Sequence, residues 1–136
     1  MPSEKISARL SNAAAALGLT FKQFTTDLGV DLVSLGGTKI GALAAEAVIV
    51  TDTSTAKGTA LAESMPFLRK TSMQLASKMR FLSAPWVGLL EDGAWLRHAQ
   101  HANHCAQLLS GLVADIPAVQ LMFPVEANGV FLQMPE

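Results

Sequence analysis

Apolar and polar positions along this chain repeat with two different periods, which predict helices in some stretches and strands in others. Residues 8–18, ARLSNAAAALG, are rich in alanine and predict a helix that ends at Gly18. We expect the chain to open directly into this helix. Thr20 with Gln23 three positions later has the pattern of a capping box, and Gly29 closes the short helical segment that follows.

The next stretch predicts two strands and a long helical region. Residues 31–35, DLVSL, and 45–51, AEAVIVT, are short, apolar and β-branched, so we interpret both as strands joined by a glycine-rich connection. After a polar loop, residues 59–83 have a helical pattern, in which Pro66 and the polar cluster near Ser72 are candidate breaks.

The last third of the chain predicts one long helix and a pair of strands. Residues 94–114 place leucines near the 3.6-residue period of an amphipathic helix. Residues 118–123 and 130–134 are apolar and lie on either side of Asn128-Gly129, which favours a hairpin or a bend. The order of these elements predicts an α/β fold, or an α+β fold if the elements rearrange.

The composition predicts more apolar surface than one small domain needs to bury. A chain of 136 residues is long enough for one domain, yet 50% of it is hydrophobic and only 15% is charged, against roughly 25% in a typical globular domain. We therefore expect a homo-oligomer. The net charge of −1 argues against a nucleic-acid partner, and the single cysteine, Cys105, gives no disulfide framework. The longest apolar stretch is too short to span a bilayer, so we expect a cytoplasmic protein without a membrane partner.

One lysine lies between two apolar runs in the segment SLGGTKIGALAAEAVIV, residues 34–50. Lysine is costly to bury, and the glycines beside Lys39 indicate a backbone that bends tightly or approaches something closely. A desolvated lysine amine loses its proton more readily and can attack an aldehyde to form a Schiff base. The alternative is a surface turn with an ordinary solvated lysine, and the pattern alone leaves both interpretations open.

A basic stretch without acidic partners follows the predicted strands. Arg69, Lys70, Lys78 and Arg80 could bind an anion together, or they could lie on a solvated face of a helix.

Three histidines recur every third residue on the predicted long helix: His98, His101 and His104, with Cys105 four residues after His101. Imidazole and thiolate are zinc ligands, but this spacing spreads the histidines over a wide arc of the helix. We therefore expect surface histidines and no metal site.

Four stretches, in this order along the chain, carry a resemblance to a known family: ARLSNAAAALG, DLVSLGGTKIGALAAEAVIV, LRKTSMQLASKMRFLSAPW and NGVFLQMP. From about Ala8 onward, the series closely resembles the pyridoxal-phosphate-dependent low-specificity threonine aldolases and their β-eliminating lyase relatives. The resemblance implies an aspartate-aminotransferase-like fold, pyridoxal 5'-phosphate as cofactor, and Lys39 as the lysine that forms the Schiff base. It also implies that Lys70 and Arg80 bind the cofactor phosphate from a neighbouring subunit. Arg9 is similar to the arginine that follows the acidic residue under the pyridine ring.

The chain also departs from the pattern of that family. The family has His-x-Asp-Gly-Ala-Arg where this sequence has EKISAR, so Ile6 occupies the position of the aspartate that keeps the pyridine nitrogen protonated. The family's N-terminal half and the arginine for the substrate carboxylate have no counterpart here. We therefore expect a truncated relative that is not catalytically competent alone.

The resemblance divides the chain and implies its reaction. Residues 1–92 would belong to the large cofactor-binding domain, and residues 93–136 to an incomplete small domain. An intact enzyme of this kind would cleave a β-hydroxy amino acid, such as threonine, into glycine and acetaldehyde. The alternative is a non-catalytic oligomeric remnant or a binding module.

Overall fold

A computed structural model describes residues 4–135, and for residues 4–7 it describes the backbone alone. Helices and strands are mixed along this range, which confirms the predicted α/β class. The strands are β1 (Glu4–Ser7), β2 (Leu32–Gly36), β3 (Glu46–Val50), β4 (Gln120–Leu121) and β5 (Leu132–Gln133). The helices are α1 (Leu10–Leu17), α2 (Phe21–Phe24), α3 (Ala56–Thr71), α4 (Arg80–Leu90) and α5 (Ala94–Val113).

Two small sheets organise the described residues. In the first sheet β2 lies in the centre, parallel to β1 and antiparallel to β3. The second sheet pairs β4 with β5 in antiparallel orientation. The expectation that the chain opens directly into a helix is therefore wrong, because β1 precedes α1. The sequence EKIS has no strand pattern of its own, and its extended backbone is stabilised by pairing with β2, which is distant along the chain.

The first helices end and begin where the sequence predicted. Gly18 follows α1 with φ of 65°, and its N–H donates to the carbonyls of Ala14 and Ala15. The capping box before α2 is present: the Gln23 N–H donates to the Thr20 hydroxyl at 3.2 Å, and the Thr20 N–H donates to the Gln23 side chain at 3.0 Å.

The helical region after the first sheet differs from the prediction in two places. Pro66 lies inside α3 and does not end it, although a proline removes one hydrogen bond of the helix. The predicted break near Ser72 is confirmed, because α3 ends at Thr71. The apolar stretch 84–90 belongs to α4, again with a proline, Pro85, inside the helix.

The C-terminal elements agree with the sequence within one or two residues. Helix α5 spans almost the whole range predicted for it. The strands β4 and β5 contain two residues each, and Asn128-Gly129 lies in the long loop between them rather than in a two-residue turn. The signal at this dipeptide therefore marks a bend within the loop.

Two groups of buried side chains hold the elements together. The first contains Leu10, Val33 and Leu35, which joins α1 to β2. The second contains Ile40, Ala42, Ala45 and Leu89, which joins the β2–β3 connection to α4. Trp86 packs against both groups. The core therefore lies between the first sheet, α1 and α4.

Helix α5 packs against α1 through a pair of side-chain amides, one of them fully buried. Asn12 is fully buried, and its Nδ2 donates to Asn103 Oδ1 at 3.3 Å. In return, Asn103 Nδ2 donates to the backbone carbonyl of Asn12 at 3.0 Å. These reciprocal bonds fix the position of one helix along the other. Of the helices in the described range, not one is both long and apolar enough to cross a membrane.

Candidate functional site

The connection from β2 to β3 forms a tight turn that carries Lys39. We call residues 37–45 the Lys39 turn. Its two ends are joined by the Gly37 N–H, which donates to the Ala45 carbonyl at 2.7 Å. Inside it, the Ile40 N–H donates to the Gly37 carbonyl at 3.1 Å, which gives a short 3₁₀ segment at Thr38–Ile40. The backbone around Lys39 is thus defined by its own hydrogen bonds.

Apolar neighbours fix this turn to the core and leave Lys39 outside. Ile40 and Ala42 are buried at 2% and 6% exposure, and Trp86 and Trp95 pack against the group to which they belong. Burying a side chain the size of isoleucine contributes about 1.5–3 kcal/mol. The desolvated lysine that the Schiff-base interpretation favoured is not found within the described residues, because Lys39 is exposed. Ile40, Ala42 and Ala45 face the core instead of covering Lys39, and Leu43 is exposed.

Two glycines of the turn confirm the prediction of close approach. A Cβ atom on Gly37 would lie 2.8 Å from the Ala45 carbonyl oxygen and 3.0 Å from the Trp86 ring. Gly41 has φ of 117°, and a Cβ atom there would lie 2.9 Å from His98 Nδ1. Side chains other than glycine are therefore strained at position 41 by backbone and neighbour alike.

A histidine that the sequence suggested only as a surface residue reaches this turn. His98 Nδ1 lies 2.6 Å from the backbone carbonyl oxygen of Ile40. A carbonyl only accepts, so Nδ1 carries the hydrogen in this bond. The two residues lie far apart along the chain, and no local pattern reveals their contact. The one signal in the sequence was the glycine at position 41, whose backbone comes close to the imidazole.

The other predicted site residues lie on separate elements. Lys70 is in the last turn of α3, and Arg80 is the first residue of α4; both are exposed. The Arg80 guanidinium carbon lies 5.2 Å from the centre of the Phe81 ring. Arg9 precedes α1 and is exposed. The side chain of Ile6 lies outside those that the structure describes.

Two cavities of the described residues lie away from Lys39. One, of about 490 Å³, lies between α5 and the C-terminal loop and is lined in part by Arg9, Cys105 and Phe131. The other, of about 850 Å³, is an apolar groove between α1, α2, α4 and the first sheet, lined in part by Val33 and Trp86. Since Lys39 lines neither cavity, it meets solvent on an open surface.

The remaining histidines of α5, His101 and His104, do not belong to a cluster of metal-ligating side chains within the described residues. His101 Nε2 lies 3.6 Å from Cys105 Sγ, on an exposed side of the helix. In the part of the chain that the structure describes, His, Cys, Asp and Glu side chains form no group of three that could hold a metal ion.

Comparisons with known proteins agree with the resemblance read from the sequence. A family model described as beta-eliminating lyase matches residues 7–136. The chain is 63% identical over 129 residues to the low specificity L-threonine aldolase of Pseudomonas sp. (strain NCIMB 10558). It is 54% identical over 129 residues to the low specificity L-threonine aldolase of Pseudomonas aeruginosa. Both alignments cover 95% of this chain and 36% of the relative, so the chain spans about a third of the length of these relatives.

Proposed function

Because the chain belongs to the beta-eliminating lyase family, we propose that its Lys39 holds pyridoxal 5'-phosphate in a lyase that cleaves β-hydroxy amino acids. The substrate would be an amino acid such as threonine, and the products glycine and an aldehyde. The family and its threonine aldolases depend on this cofactor, which supports the proposal. The structural observation that carries it is a primary amine exposed on a turn that the buried side chains of Ile40, Ala42 and Ala45 anchor in the core.

The Lys39 turn fits the aldehyde end of the cofactor. An aldehyde needs an accessible amine, and Lys39 is exposed on a backbone held by the Gly37–Ala45 hydrogen bond. The glycines on either side of it add no side chain that would block the approach. The residues of this chain therefore suit the covalent attachment of the cofactor.

Lys70 and Arg80 are proposed to bind the cofactor phosphate, and Arg9 is proposed as the cofactor-binding arginine that follows the position of the acidic residue under the pyridine ring. Lys70 and Arg80 are exposed, so their charged groups are accessible to an anion brought by another subunit. They lie on different elements, which is why we place this phosphate site between subunits. The division of the protein into a cofactor-binding part, residues 1–92, and a part of a small domain, residues 93–136, belongs to the same proposal.

The chemistry of the proposed reaction is divided between cofactor and protein. When bound, the cofactor supplies a conjugated ring that accepts the electron pair released at the substrate α-carbon. Lys39 Nζ holds the cofactor covalently, and as a free amine it can accept a proton. With isoleucine at position 6, this chain brings no carboxylate to the place where the family keeps the ring nitrogen protonated. We therefore expect no turnover from this chain alone.

Covalent labelling tests the role of Lys39. The protein is mixed with pyridoxal 5'-phosphate, reduced with borohydride, digested and mapped by mass spectrometry. We expect Lys39 to be modified in preference to Lys70 and Lys78, which are exposed lysines in the same sample. A visible absorbance band that forms with the cofactor should disappear in Lys39→Ala and persist in Lys78→Ala. Equal modification of all exposed lysines would contradict the proposal.

A cleavage assay tests whether the chain acts alone. Threonine is incubated with the protein, with Lys39→Ala, or with free cofactor, and the release of glycine and acetaldehyde is measured. We expect no release above that of free cofactor, because removing single groups that act in a transition state often costs about 10²–10³ in rate. Release that requires Lys39 would show that the chain carries the missing catalytic groups itself or through its own oligomer.

The proposal also includes a substrate, a protein partner and a cellular location. We keep a small amino acid as the substrate, a second copy of the chain as the protein partner, and the cytoplasm as the location. Each stays a prediction.

A further inference from the structure

We propose that His98 is a positioning residue that fixes the backbone of the Lys39 turn, so that Lys39 is presented in one place. This inference rests on the proposed function, because it gives Lys39 its chemical purpose. His98 lies on α5, and the turn lies between β2 and β3. The imidazole is thus a direct connection between the C-terminal helix and the lysine segment.

The hydrogen bond to the turn is short and sits beside the lysine. His98 Nδ1 donates to the Ile40 carbonyl at 2.6 Å, and Ile40 immediately follows Lys39. The Ile40 N–H is held at the same time by the Gly37 carbonyl at 3.1 Å. Peptide groups are planar, so restraining both sides of residue 40 restrains the backbone that carries Lys39.

The ring itself is placed by the packing of its helix. Ala99, the next residue along α5, has no exposed surface, and Ala106 two turns later is also buried. Asn103 ties the same helix to α1 through its bond to the Asn12 carbonyl. The helix therefore cannot turn or slide without breaking these contacts, and His98 moves with it.

The backbone of Gly41 lies close to the His98 ring. The turn passes so near the imidazole that a Cβ atom at position 41 would lie 2.9 Å from Nδ1 and 3.2 Å from the ring carbon Cε1. It would also touch Leu89 at 3.4 Å. Close contact and hydrogen bond together place the ring against the turn.

A fixed backbone favours the reaction of the Lys39 amine with the aldehyde carbon of the cofactor. Lysine has a long side chain, and ordering it costs up to about 2 kcal/mol. If its backbone also moved, that further freedom would be lost each time the amine reached its target. His98 removes the backbone share of this cost by acting through the Ile40 carbonyl.

Nuclear magnetic resonance tests the position of the proton and the order of the turn. In the wild-type protein, a long-range ¹H–¹⁵N correlation spectrum reports which ring nitrogen of His98 carries hydrogen. We expect a hydrogen on Nδ1, although the neutral free side chain favours Nε2. A neutral ring with its hydrogen on Nε2 would overturn the proposal without any variant.

Three variants then measure the effect on the turn. His98→Leu keeps about the size of the side chain and loses the donor, whereas His98→Asn keeps a donor near the position of Nδ1. His104→Leu is the control at another exposed position of the same helix. We expect backbone order parameters of Lys39 and Gly41 to fall from about 0.85 to below about 0.6 in His98→Leu only. Unchanged order in His98→Leu would overturn the proposal. Far-ultraviolet circular dichroism confirms that each variant is folded.

Labelling with pyridoxal 5'-phosphate and borohydride separates this inference from the proposed function. We expect the ratio of modified Lys39 to modified Lys78 to fall about 2- to 10-fold in His98→Leu, the equivalent of one hydrogen bond. His98→Asn should restore the ratio. If the wild type already shows no preference for Lys39, the proposed function fails, and the order parameters alone decide the role of His98. A wild-type preference that His98→Leu preserves would overturn the positioning role.

Discussion

At position 41, one hydrogen atom in place of a methyl group decides whether the turn can form. Gly41→Ala puts a Cβ atom against His98 Nδ1 in a conformation with φ of 117°. We expect the free energy of unfolding to fall by about 1–2 kcal/mol from the backbone conformation alone. Urea unfolding measures the loss.

Gly88 provides the matched control for this substitution. It lies inside α4, and a Cβ atom there would meet nothing within 4 Å. Gly88→Ala should therefore stabilise the protein, by about 0.5–1 kcal/mol. Equal effects of both substitutions would mean that position 41 has no special geometry.

The carboxyl group of Asp52 has a lowered pKa. The Ser54 hydroxyl donates to it at 2.6 Å and the Ser54 N–H at 2.8 Å, and both bonds favour the ionised form. Their stabilisation is present above the pKa of the unfolded state and is lost as the pH falls through the lower pKa of the folded state. Ser54→Ala should raise the pKa of Asp52 toward 3.8, while Ser54→Thr should leave it low. A carbon-detected titration of the Asp52 carboxyl checks both, and an unchanged pKa in Ser54→Ala would contradict the assignment.

Among single residues, the sequence predicted the tight turn around Lys39 and not the histidine that contacts it. Glycines around Lys39 signalled a tight turn and a close neighbour, and both are present. His98 is exposed, as predicted, but its spacing from His101 and His104 carries no information about its hydrogen bond to the Ile40 carbonyl. The exposure of Lys39 agrees with the surface-turn interpretation, because an apolar sequence neighbour does not have to be a covering neighbour in space.

At the scale of elements, the start of α3 depends on one side chain. The Thr55 hydroxyl accepts from the Gly58 N–H at 3.0 Å, which satisfies one of the free donors of the first turn. Thr55→Ala should cost about 0.5–2 kcal/mol, and amide hydrogen exchange should speed up at Gly58 and Thr59. Thr55→Ser keeps the hydroxyl and is the control. Exchange that stays the same in Thr55→Ala would show that the cap does not hold this end of the helix.

Elements with local signals were predicted well, and elements that depend on distant partners were not. Gly18 and the Thr20–Gln23 box carry their own hydrogen bonds within a few residues, so the pattern identifies them. Strand β1 depends on β2, and the continuation of α3 through Pro66 shows that one lost backbone bond does not end a capped helix of 16 residues. The sequence predicted the end of α3 near Ser72, but not the start of α4 at Arg80.

At the scale of the whole molecule, large apolar side chains lie on the surface. Leu43, Met73 and Phe67 are 92%, 90% and 73% exposed, and the apolar groove adds to this surface. Such surface is unfavourable in water, so we expect a dimer or a larger assembly at micromolar concentration. Light scattering measures the mass, and a clean monomer would contradict the prediction. Sulfate should strengthen an apolar association, whereas an association of charges would weaken with salt.

The close fit between Gly41 and His98 has a consequence for transplanting the lysine segment into another protein. Residues 37–45 close on themselves through Gly37 and Ala45, and they look like a self-contained insert. A host would also need a helix that brings a ring donor to the Ile40 carbonyl, at the distance that only a glycine at position 41 permits. Over generations, a change at position 98 would remove the contact with the ring and leave the φ of 117° at position 41, so position 41 should keep its glycine even where position 98 varies.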